Sequence, residues 1–226
     1  MIGTLNEGLL HADLKAWYRR HGDQFETPVD GYVIDIVRGD TLIEIQTGGF
    51  APLRRKLDQL LDNHRVRLVA PVPLTRQIVR LSPAGEVLSS RRSPLGGRPQ
   101  DVFARLVSLP ALLAHPRFEL ELLLTHEQEH RRHEPGRAFR RHGRIVAGRS
   151  LVSVERTLLL ETPEHAAALL PPVPDVFDTA ELAAAEQCTR RLAQQMTYCL
   201  RAMGTLEPHG RRGHAVVYRR ATRTAA

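Results

Sequence analysis

The feature that most constrains this fold is a run of three short apolar segments separated by two tight-turn sequences within residues 25–46. Asp30-Gly31 is a dipeptide typical of a two-residue hairpin turn, and Gly39-Asp40 provides a second turn. The segments beside the second turn are apolar runs rich in β-branched residues and interrupted by Asp35, Glu44 and Gln46, which is typical of strands. The sequence therefore predicts a three-stranded meander with strands at 25–29, 32–37 and 41–46.

Carboxylates interrupt the most apolar hairpin of this meander. Counting outward from the Gly39-Asp40 turn places Asp35 opposite Glu44, and opposed residues share a face of the sheet. Period-two alternation adds Gln46 to the same face. Two carboxylates one strand spacing apart repel each other unless a cation lies between them. We therefore expect Asp35 and Glu44 to hold a hard divalent cation, Mg²⁺ or Mn²⁺.

Helices and one further strand are predicted to flank the meander. A helix begins at Thr4, which with Glu7 has the form of a capping box, and its apolar stripe reaches Trp17. After the meander, Pro52 suits the first turn of a second helix, and a strand follows at 66–72. Helix, three strands, helix and strand in this order make a compact α/β core.

This order of elements, together with its carboxylates, resembles the PD-(D/E)XK nuclease superfamily, which has the restriction-endonuclease-like fold. In that family a helix bearing a Glu precedes a meander bearing an Asp and a Glu-x-Lys triplet. Glu7 is similar to the helix Glu, Asp35 to the Asp and Glu44-Ile45-Gln46 to the triplet, within residues 4–72 of the 226. The resemblance implies metal-dependent hydrolysis of DNA, with catalytic roles for Glu7, Asp35, Glu44, Gln46 and Lys56.

One position departs from the family pattern. Gln46 stands where the family usually has a Lys, and a neutral amide can orient a water but supplies no charge. Some members of the superfamily place the Lys on the following helix. Lys56 lies one turn into that helix and is one of two lysines in the chain. The competing cations on the helix are Arg54 and Arg55.

Two alternatives accompany this assignment. Asp30 is a rival for the metal-binding Asp, and we prefer Asp35 because Asp30-Gly31 is better suited to a turn. Asp35 and Glu44 are also compatible with ordinary polar positions of an edge strand. In that case the chain is a non-enzymatic DNA-binding regulator built on a degenerate nuclease core.

The middle of the chain contains a sequence that matches the zinc-protease pattern H-E-x-x-H, at His126–His130. That pattern needs a long helix, and here a strand-like segment precedes it and charged residues follow, so we expect a solvated loop or a surface that faces nucleic acid. The other predicted elements between 73 and 165 are strands at 77–81, 86–88, 118–124 and 151–160, a basic loop at 89–99 and a helix at 101–113.

Beyond a proline-rich linker at 171–174, the sequence changes in character. Asp178 suits the N-cap of a short helix, a longer helix is predicted at 190–203, and a hairpin follows with its tip at 210–213. This order resembles a winged helix-turn-helix, so the predicted domains are a nuclease-like domain at 1–165 and a DNA-binding domain at 175–226. The resemblance implies DNA contacts by Arg190, Arg191, Gln194, Gln195, Arg211 and Arg212. The alternative is a module for dimerisation or domain packing.

Composition bears on partners and location. The formal net charge is +7, carried mostly by Arg, which favours a polyanionic partner and above all DNA, although a GC-rich genome also favours Arg. Two cysteines are too few for a disulfide framework or a four-thiolate zinc site. The chain shows neither a membrane-length apolar run nor a signal-peptide core, so we expect a cytoplasmic protein without a membrane partner, and a homodimer is compatible with this.

Overall fold

The computed structural model of this protein describes residues 8–133 and 144–221. Glu7, the candidate catalytic residue of the first helix, lies outside these residues, as does the predicted Thr4 capping box. Within the described ranges the chain is a mixed α/β protein with one large mixed sheet, one small sheet and helices on both faces of the large sheet.

The described elements are six α-helices and ten strands. The helices are α1 (Leu9–Tyr18), α2 (Arg54–Leu61), α3 (Phe103–Leu106), α4 (Pro163–Ala167), α5 (Thr179–Ala185) and α6 (Arg190–Ala202). The strands are β1 (Gln24–Val29), β2 (Tyr32–Arg38), β3 (Thr41–Ile45), β4 (Arg65–Leu81), β5 (Val87–Arg92), β6 (Phe118–His133), β7 (Arg144–Leu160), β8 (Val176–Asp178), β9 (Leu206–Arg212) and β10 (Ala215–Arg220).

The large sheet has seven strands and is built around the predicted meander. Its order is β1-β2-β3-β4-β6-β7, with β5 paired to β4 at the far end of that strand. The meander strands are antiparallel, whereas β3 pairs with β4 and β4 with β6 in parallel. At the first turn Asp30 and Gly31 both have left-handed φ angles, 48° and 82°, as the predicted hairpin turn requires.

Three strands are much longer than predicted. β4 has 17 residues and continues through Pro71 and Pro73, which the sequence suggested as its boundary. A register shift between Pro73 and Thr75 accommodates the prolines, and the backbone N–H of Gly97 donates to the carbonyl of Pro73 at 2.8 Å. β6 and β7 have 16 and 17 residues and pair along their length. Residues 126–130, for which a solvated loop or a surface facing nucleic acid was predicted, are therefore part of strand β6.

Two further predictions for this region are wrong. The helix predicted at 101–113 is the four-residue α3 with short 3₁₀ turns at Pro99–Val102 and Leu112–Ala114 on its two sides. The loop predicted at 89–99 contains most of β5. In both segments long-range packing onto β4 and β6 decides the structure, which local propensity does not report.

Two hydrophobic clusters lie on opposite faces of the large sheet. The cluster under α1 contains Leu10, Leu14 and Tyr18, together with sheet residues such as Val69. Trp17, expected on this apolar stripe, is 46% exposed, and the neighbouring Tyr18 is buried in its place. The larger cluster on the other face contains α2 and α3.

The larger cluster continues without a break into the C-terminal elements. Phe177, Met196 and Leu200 belong to the same cluster as Phe103 of α3. The order β8, α5, α6, β9 and β10 ends in a three-stranded sheet, β8-β10-β9. Asp178 caps α5 as predicted, accepting hydrogen bonds from the backbone N–H groups of Ala180 and Glu181. In the part of the chain that the structure describes, no helix combines the length and the apolar character needed to cross a membrane.

Candidate functional site

The candidate site lies where the pairing of the meander strands is interrupted. The β1–β2 ladder skips the position where Glu26 faces Asp35, and the β2–β3 ladder ends one residue before Asp35 would pair with Glu44. Glu26 has a left-handed φ of 50°, which is rare for a residue other than Gly. Three carboxylates thus occupy one row across three strands, and the row coincides with the irregularity.

Asp35 lies at the point where β2 changes the direction of its side chains. Ile34 packs in the cluster on the α2 face, and Ile36 packs in the cluster on the α1 face, although residues two apart in a regular strand share one face. The Asp35 carboxylate accepts a hydrogen bond from the backbone N–H of Ile45 at 2.8 Å. The predicted Asp35–Glu44 cross-strand pair is therefore replaced by a side-chain-to-backbone bond at the seam between β2 and β3.

Cationic side chains of α1 contact the Asp35 carboxylate. His11 Nε2 lies 3.1 Å and Lys15 Nζ 3.6 Å from it, and Lys15 also pairs with Glu26. Burial disfavours the charged form of Asp35, but the hydrogen bonds from His11 and the Ile45 N–H, with the charge of Lys15, outweigh it and lower the pKa of Asp35. Asp35 is therefore ionised at neutral pH.

Glu44 is the second carboxylate of the site and points toward α2. It is 6% exposed, and Lys56 Nζ lies 2.5 Å from its Oε1 atom. Burial raises the pKa of Glu44 to about 7; Lys56 opposes this shift, and the negative charge of Asp35 adds to it. The two carboxylates thus reach helices on different faces of the sheet but are close enough to influence each other's ionisation.

Lys56 is the cation that α2 brings to this site. Its ammonium also donates to the carbonyl of Val33 at 2.7 Å, so strand β2 and the Glu44 carboxylate fix its position together. The two competing arginines lie elsewhere: Arg54 donates to the carbonyl of Ser108, and Arg55 is exposed. The structure therefore distinguishes the three basic residues of this helix turn.

Gln46 begins the loop after β3 and is held by its own surroundings. Its side-chain Nε2 donates to the carbonyl of Gly49 at 2.7 Å, and its backbone N–H donates to the carbonyl of Val69 at 2.9 Å. This amide donor is thus directed into its own loop and not toward the two carboxylates, which differs from the predicted role of orienting a water.

Arg105 of α3 contacts this loop through its guanidinium group. The sequence did not identify this residue. Its guanidinium donates to the carbonyls of Gln46 and Pro71 and lies 4.3 Å from the ring centre of Phe50. Burial lowers the pKa of Arg105 to about 10. An isolated Arg in a predicted helix carries no sequence pattern that would identify this contact.

The rival residue Asp30 does not join the site. Its carboxylate lies 2.8 Å from His64 Nε2 at the first turn of the meander, before β2 begins and five residues from Asp35 in the sequence. His11 and Lys15, in contrast, were missed. They follow Glu7 at intervals of four residues in the sequence, a spacing that places all three on one side of a helix and could have identified them.

The carboxylates of Asp35 and Glu44 are suited to a hard divalent cation. Burial raises the pKa of Glu44 and the charge of Asp35 adds to the rise. Carboxylate oxygens are the ligands that Mg²⁺ prefers, and a cation between the two would offset both effects. Within residues 8–133 and 144–221, no three His, Cys, Asp or Glu side chains are grouped closely enough to hold a metal ion. A metal ion at this position would therefore take two carboxylates from the described residues and its remaining ligands from water.

The predicted DNA-contacting residues lie mostly on exposed surface. Arg190, Arg191 and Gln194 are exposed on α6, whereas Gln195 is half-buried. Tyr198, which the sequence analysis did not select, is 52% exposed on the same helix. On the β9–β10 hairpin Arg211 and Arg212 are exposed, and Arg212 Nη1 lies 2.8 Å from Glu181 Oε1.

The H-E-x-x-H sequence lies in strand β6 and not in a helix or a loop. His126 contacts Thr75 and Glu155, and His130 contacts Ser150. A strand places residues four apart at roughly 13 Å, whereas a helix brings them within one turn. The two His side chains therefore cannot act as the ligand pair of a zinc protease.

Comparison with known proteins identifies the family. The family described as "Domain of unknown function (DUF8091)" matches residues 8–161, which contain the whole candidate site within the described residues. An uncharacterized protein of Treponema pallidum (strain Nichols) is 30% identical over 225 residues, which cover 97% of this chain and 87% of the relative. No solved structure matches the chain. The chain belongs to the DUF8091 family.

Proposed function

We propose that this member of the DUF8091 family is a metal-dependent deoxyribonuclease with a restriction-endonuclease-like core and a C-terminal winged helix that binds DNA. The observation that carries the proposal is the meeting of Asp35, Glu44 and Lys56 at one break in the sheet. β2 and β3 bring two carboxylates to this break, Asp35 on the α1 side and Glu44 beside Lys56 on the α2 side, although burial opposes the charge of both carboxylates.

Asp35 and Glu44 would hold Mg²⁺ or Mn²⁺ in this proposal. When bound, such a metal polarises the scissile phosphate and lowers the pKa of a bound water. Asp35 is ionised before any metal binds, because His11 and the Ile45 N–H stabilise its charge. Glu44 has a pKa of about 7, so it must lose its proton before it can bind the metal together with Asp35.

Lys56 supplies the positive charge that Gln46 cannot. Its ammonium is held by the Val33 carbonyl and by Glu44, so a phosphate oxygen next to Glu44 lies within reach of the ammonium. A preorganised cation beside a developing negative charge stabilises the transition state more than the ground state. Glu7 lies outside the described residues. In this proposal its carboxylate supports a second metal ion or a water.

The winged-helix part of the proposal rests on the order of elements and on charge. A strand, two helices and a two-stranded hairpin follow one another from Val176 to Arg220, and exposed arginines occupy the longer helix and the hairpin. Arg190, Arg191 and Arg211 suit phosphate contacts, and Gln194 suits contact with base edges.

Cleavage of labelled single-stranded, double-stranded and branched DNA with Mg²⁺ or Mn²⁺ tests the proposal. Asp35→Asn and Glu44→Gln should each abolish cleavage, and Lys56→Ala should reduce its rate on the order of a hundredfold. The matched controls are Asp58→Asn and Arg55→Ala, which remove one carboxylate and one cation from exposed positions of α2. Cleavage that survives both carboxylate substitutions would place the active site elsewhere.

A second candidate function is that of a DNA-binding regulator without nuclease activity. The ion pairs of Glu44 with Lys56 and of Asp35 with Lys15 favour it, because they already compensate both carboxylates with cations of the protein itself. A wild-type protein that binds DNA but cuts none of these substrates would support the regulator.

A further inference from the structure

The long strands project beyond the candidate site and form an extension of the sheet. β3 ends at Ile45, whereas β4 and β6 continue and gain β5 as a new neighbour. We call this extension the arm and define it as residues 75–81, 87–92 and 126–133. Nothing in the arm contributes to the chemistry proposed above.

One face of the arm carries a row of arginines. The register pairs Arg76 with Glu127, Arg80 with Arg131, and Ile78 with Arg91, and paired residues share a face. Arg149 of the adjacent β7 joins the row through Glu127, at 3.7 Å. We call these residues the arginine stripe: Arg149, Arg76, Arg131, Arg80 and Arg91.

The stripe begins at the candidate site. Arg149 Nη2 donates to the carbonyl of Thr47 at 3.5 Å, one residue after Gln46. From there Arg76 lies between Glu127 and Glu129, at 3.7 and 3.5 Å, and Arg131 pairs with Glu129 at 2.6 Å. The row of arginines therefore runs from the loop after β3 to the outer end of the arm, with Glu127 and Glu129 between its inner members.

At the outer end of the stripe, the arginines outnumber the carboxylates that could pair with them. Five arginines face two glutamates, Glu127 and Glu129, and both glutamates are engaged by the inner arginines. Arg80 and Arg91 are exposed and have no carboxylate partner among the residues that the structure describes. Arg80 lies directly opposite Arg131, and like charges in this position are destabilising unless an anion lies between them.

We infer that the arginine stripe binds the phosphate backbone of the nucleic acid next to the bond that the candidate site cleaves. The guanidinium fork matches phosphate oxygens in a bidentate manner, and Arg80, Arg91 and Arg131 line one groove with Ile78 and Leu81. Four residues of strand, from Arg76 to Arg80, span about 13 Å. Because each strand of DNA has one phosphate for about every 3.4 Å of helix axis, the stripe can contact more than one phosphate in succession.

The test measures binding separately from cleavage, since this inference takes its ligand from the proposed function. All binding measurements use the full chain with Asp35→Asn, which removes a candidate metal ligand, and a fluorescent DNA duplex at several salt concentrations. In this background Arg80→Ala with Arg91→Ala should weaken binding on the order of tenfold at moderate salt. The slope of log K for binding against log salt concentration is negative, and its magnitude should decrease by about two. Each substituted arginine would otherwise neutralise one phosphate.

The matched control removes the same charge at the opposite end of the sheet. Arg20→Ala with Arg117→Ala changes two exposed arginines, one after α1 and one at the start of β6, and should leave the slope unchanged. Arg80→Lys with Arg91→Lys keeps the charge at the stripe and should restore most of the slope. Thermal unfolding of each variant checks that the substitutions leave the protein folded, and each variant should unfold close to the temperature of the wild-type protein.

The outcomes for the stripe and for the nuclease are distinguishable. If the stripe variant and its control have equal affinities and slopes, the arginine stripe does not bind DNA, whether or not the wild-type protein cuts DNA. A lowered slope in a protein that never cuts DNA retains the stripe as a nucleic-acid contact and overturns the nuclease. A lowered slope together with cleavage of the bound duplex by the wild-type protein supports both.

Discussion

Glu44 is the residue whose ionisation the fold controls most directly. Burial and the charge of Asp35 raise its pKa to about 7, and Lys56 limits the rise. A proton and a divalent cation compete for the same carboxylate, so metal affinity should increase as the pH rises through this value. The site therefore becomes competent for a metal near neutral pH, while Asp35 is already charged.

The raised pKa of Glu44 makes the stability of the protein depend on pH. Because the folded state holds this proton more tightly than the unfolded state, the free energy of unfolding should decline as the pH rises from 4.5 to about 7. The decline attributable to Glu44 should be on the order of 3 kcal/mol. Glu44→Gln should remove it, as measured by urea unfolding at several pH values without divalent metal.

The control for this prediction is Asp58→Asn, which changes an exposed carboxylate on the neighbouring helix α2. Its stability should follow the pH profile of the wild-type protein. If Glu44→Gln and wild type have the same profile, the Glu44 carboxylate ionises in the folded protein as it does in the unfolded chain.

The sequence identifies some of these residues and not others, for a physical reason. Turn position and strand alternation place Asp35 near Glu44, and the resemblance to the nuclease superfamily makes Lys56 a candidate. The change of face at Asp35 has no counterpart in a regular alternation, so the missing cross-strand pair could not be predicted. Arg105 reaches Gln46 only through the packing of α3 under the loop, which no local pattern encodes.

At the scale of elements, two adjacent arginines of the β9–β10 hairpin have different surroundings, although the sequence predicted the same DNA-contacting role for both. Arg211 and Arg212 are both exposed, but Glu181 of α5 holds Arg212 in an ion pair at 2.8 Å. The pair connects the hairpin to the capping box of α5, where Glu181 also accepts a hydrogen bond from the backbone N–H of Asp178. One arginine is thus available to a ligand and the other is engaged within the protein.

This difference predicts unequal effects on DNA binding. Arg211→Ala should lower the salt slope of binding by about one, whereas Arg212→Ala should change it by less than half as much. Glu181→Gln should release Arg212 and strengthen binding. Fluorescence anisotropy with a labelled duplex measures all three variants, and equal reductions for the two arginines would show that the ion pair does not persist on binding.

Elements with strong local signals could be predicted, and elements decided by long-range pairing could not. Asp178 and Gly204 mark the start of α5 and the end of α6 in the sequence and in the structure. For β4, the prolines at 71 and 73 suggested an end to the strand because Pro lacks a backbone donor. The parallel partner β6 and a register shift keep the strand continuous, and those contacts come from residues about fifty positions away.

At the scale of the whole molecule, one hydrophobic cluster extends across the predicted domain boundary. α6 packs against α3, with Cys199 Sγ 3.9 Å from the carbonyl oxygen of Phe103, and Met196 is fully buried. The two predicted domains therefore share a core, and we expect them to unfold together.

Met196→Ala tests this cooperativity. The substitution should lower the free energy of unfolding by about 2–5 kcal/mol, the usual cost of a cavity in a packed core. Trp17, the one tryptophan of the chain, lies on α1 and reports on the other end of the protein. Its fluorescence and the far-UV circular dichroism should shift together to lower urea, whereas a shift in circular dichroism alone would indicate two independent domains.

The continuous strand β4 has a consequence for the length of the substrate. Leu68 lies level with Glu44, and Arg80 lies twelve residues further along the same strand, a separation of about 40 Å. Because β6 pairs with β4 along this stretch, with one register shift between Pro73 and Thr75, the outer end of the arm lies at a defined distance from Glu44. Under the proposed function, a duplex would have to extend roughly 12 base pairs beyond the cut to reach that end, so the sheet would set a minimum substrate length.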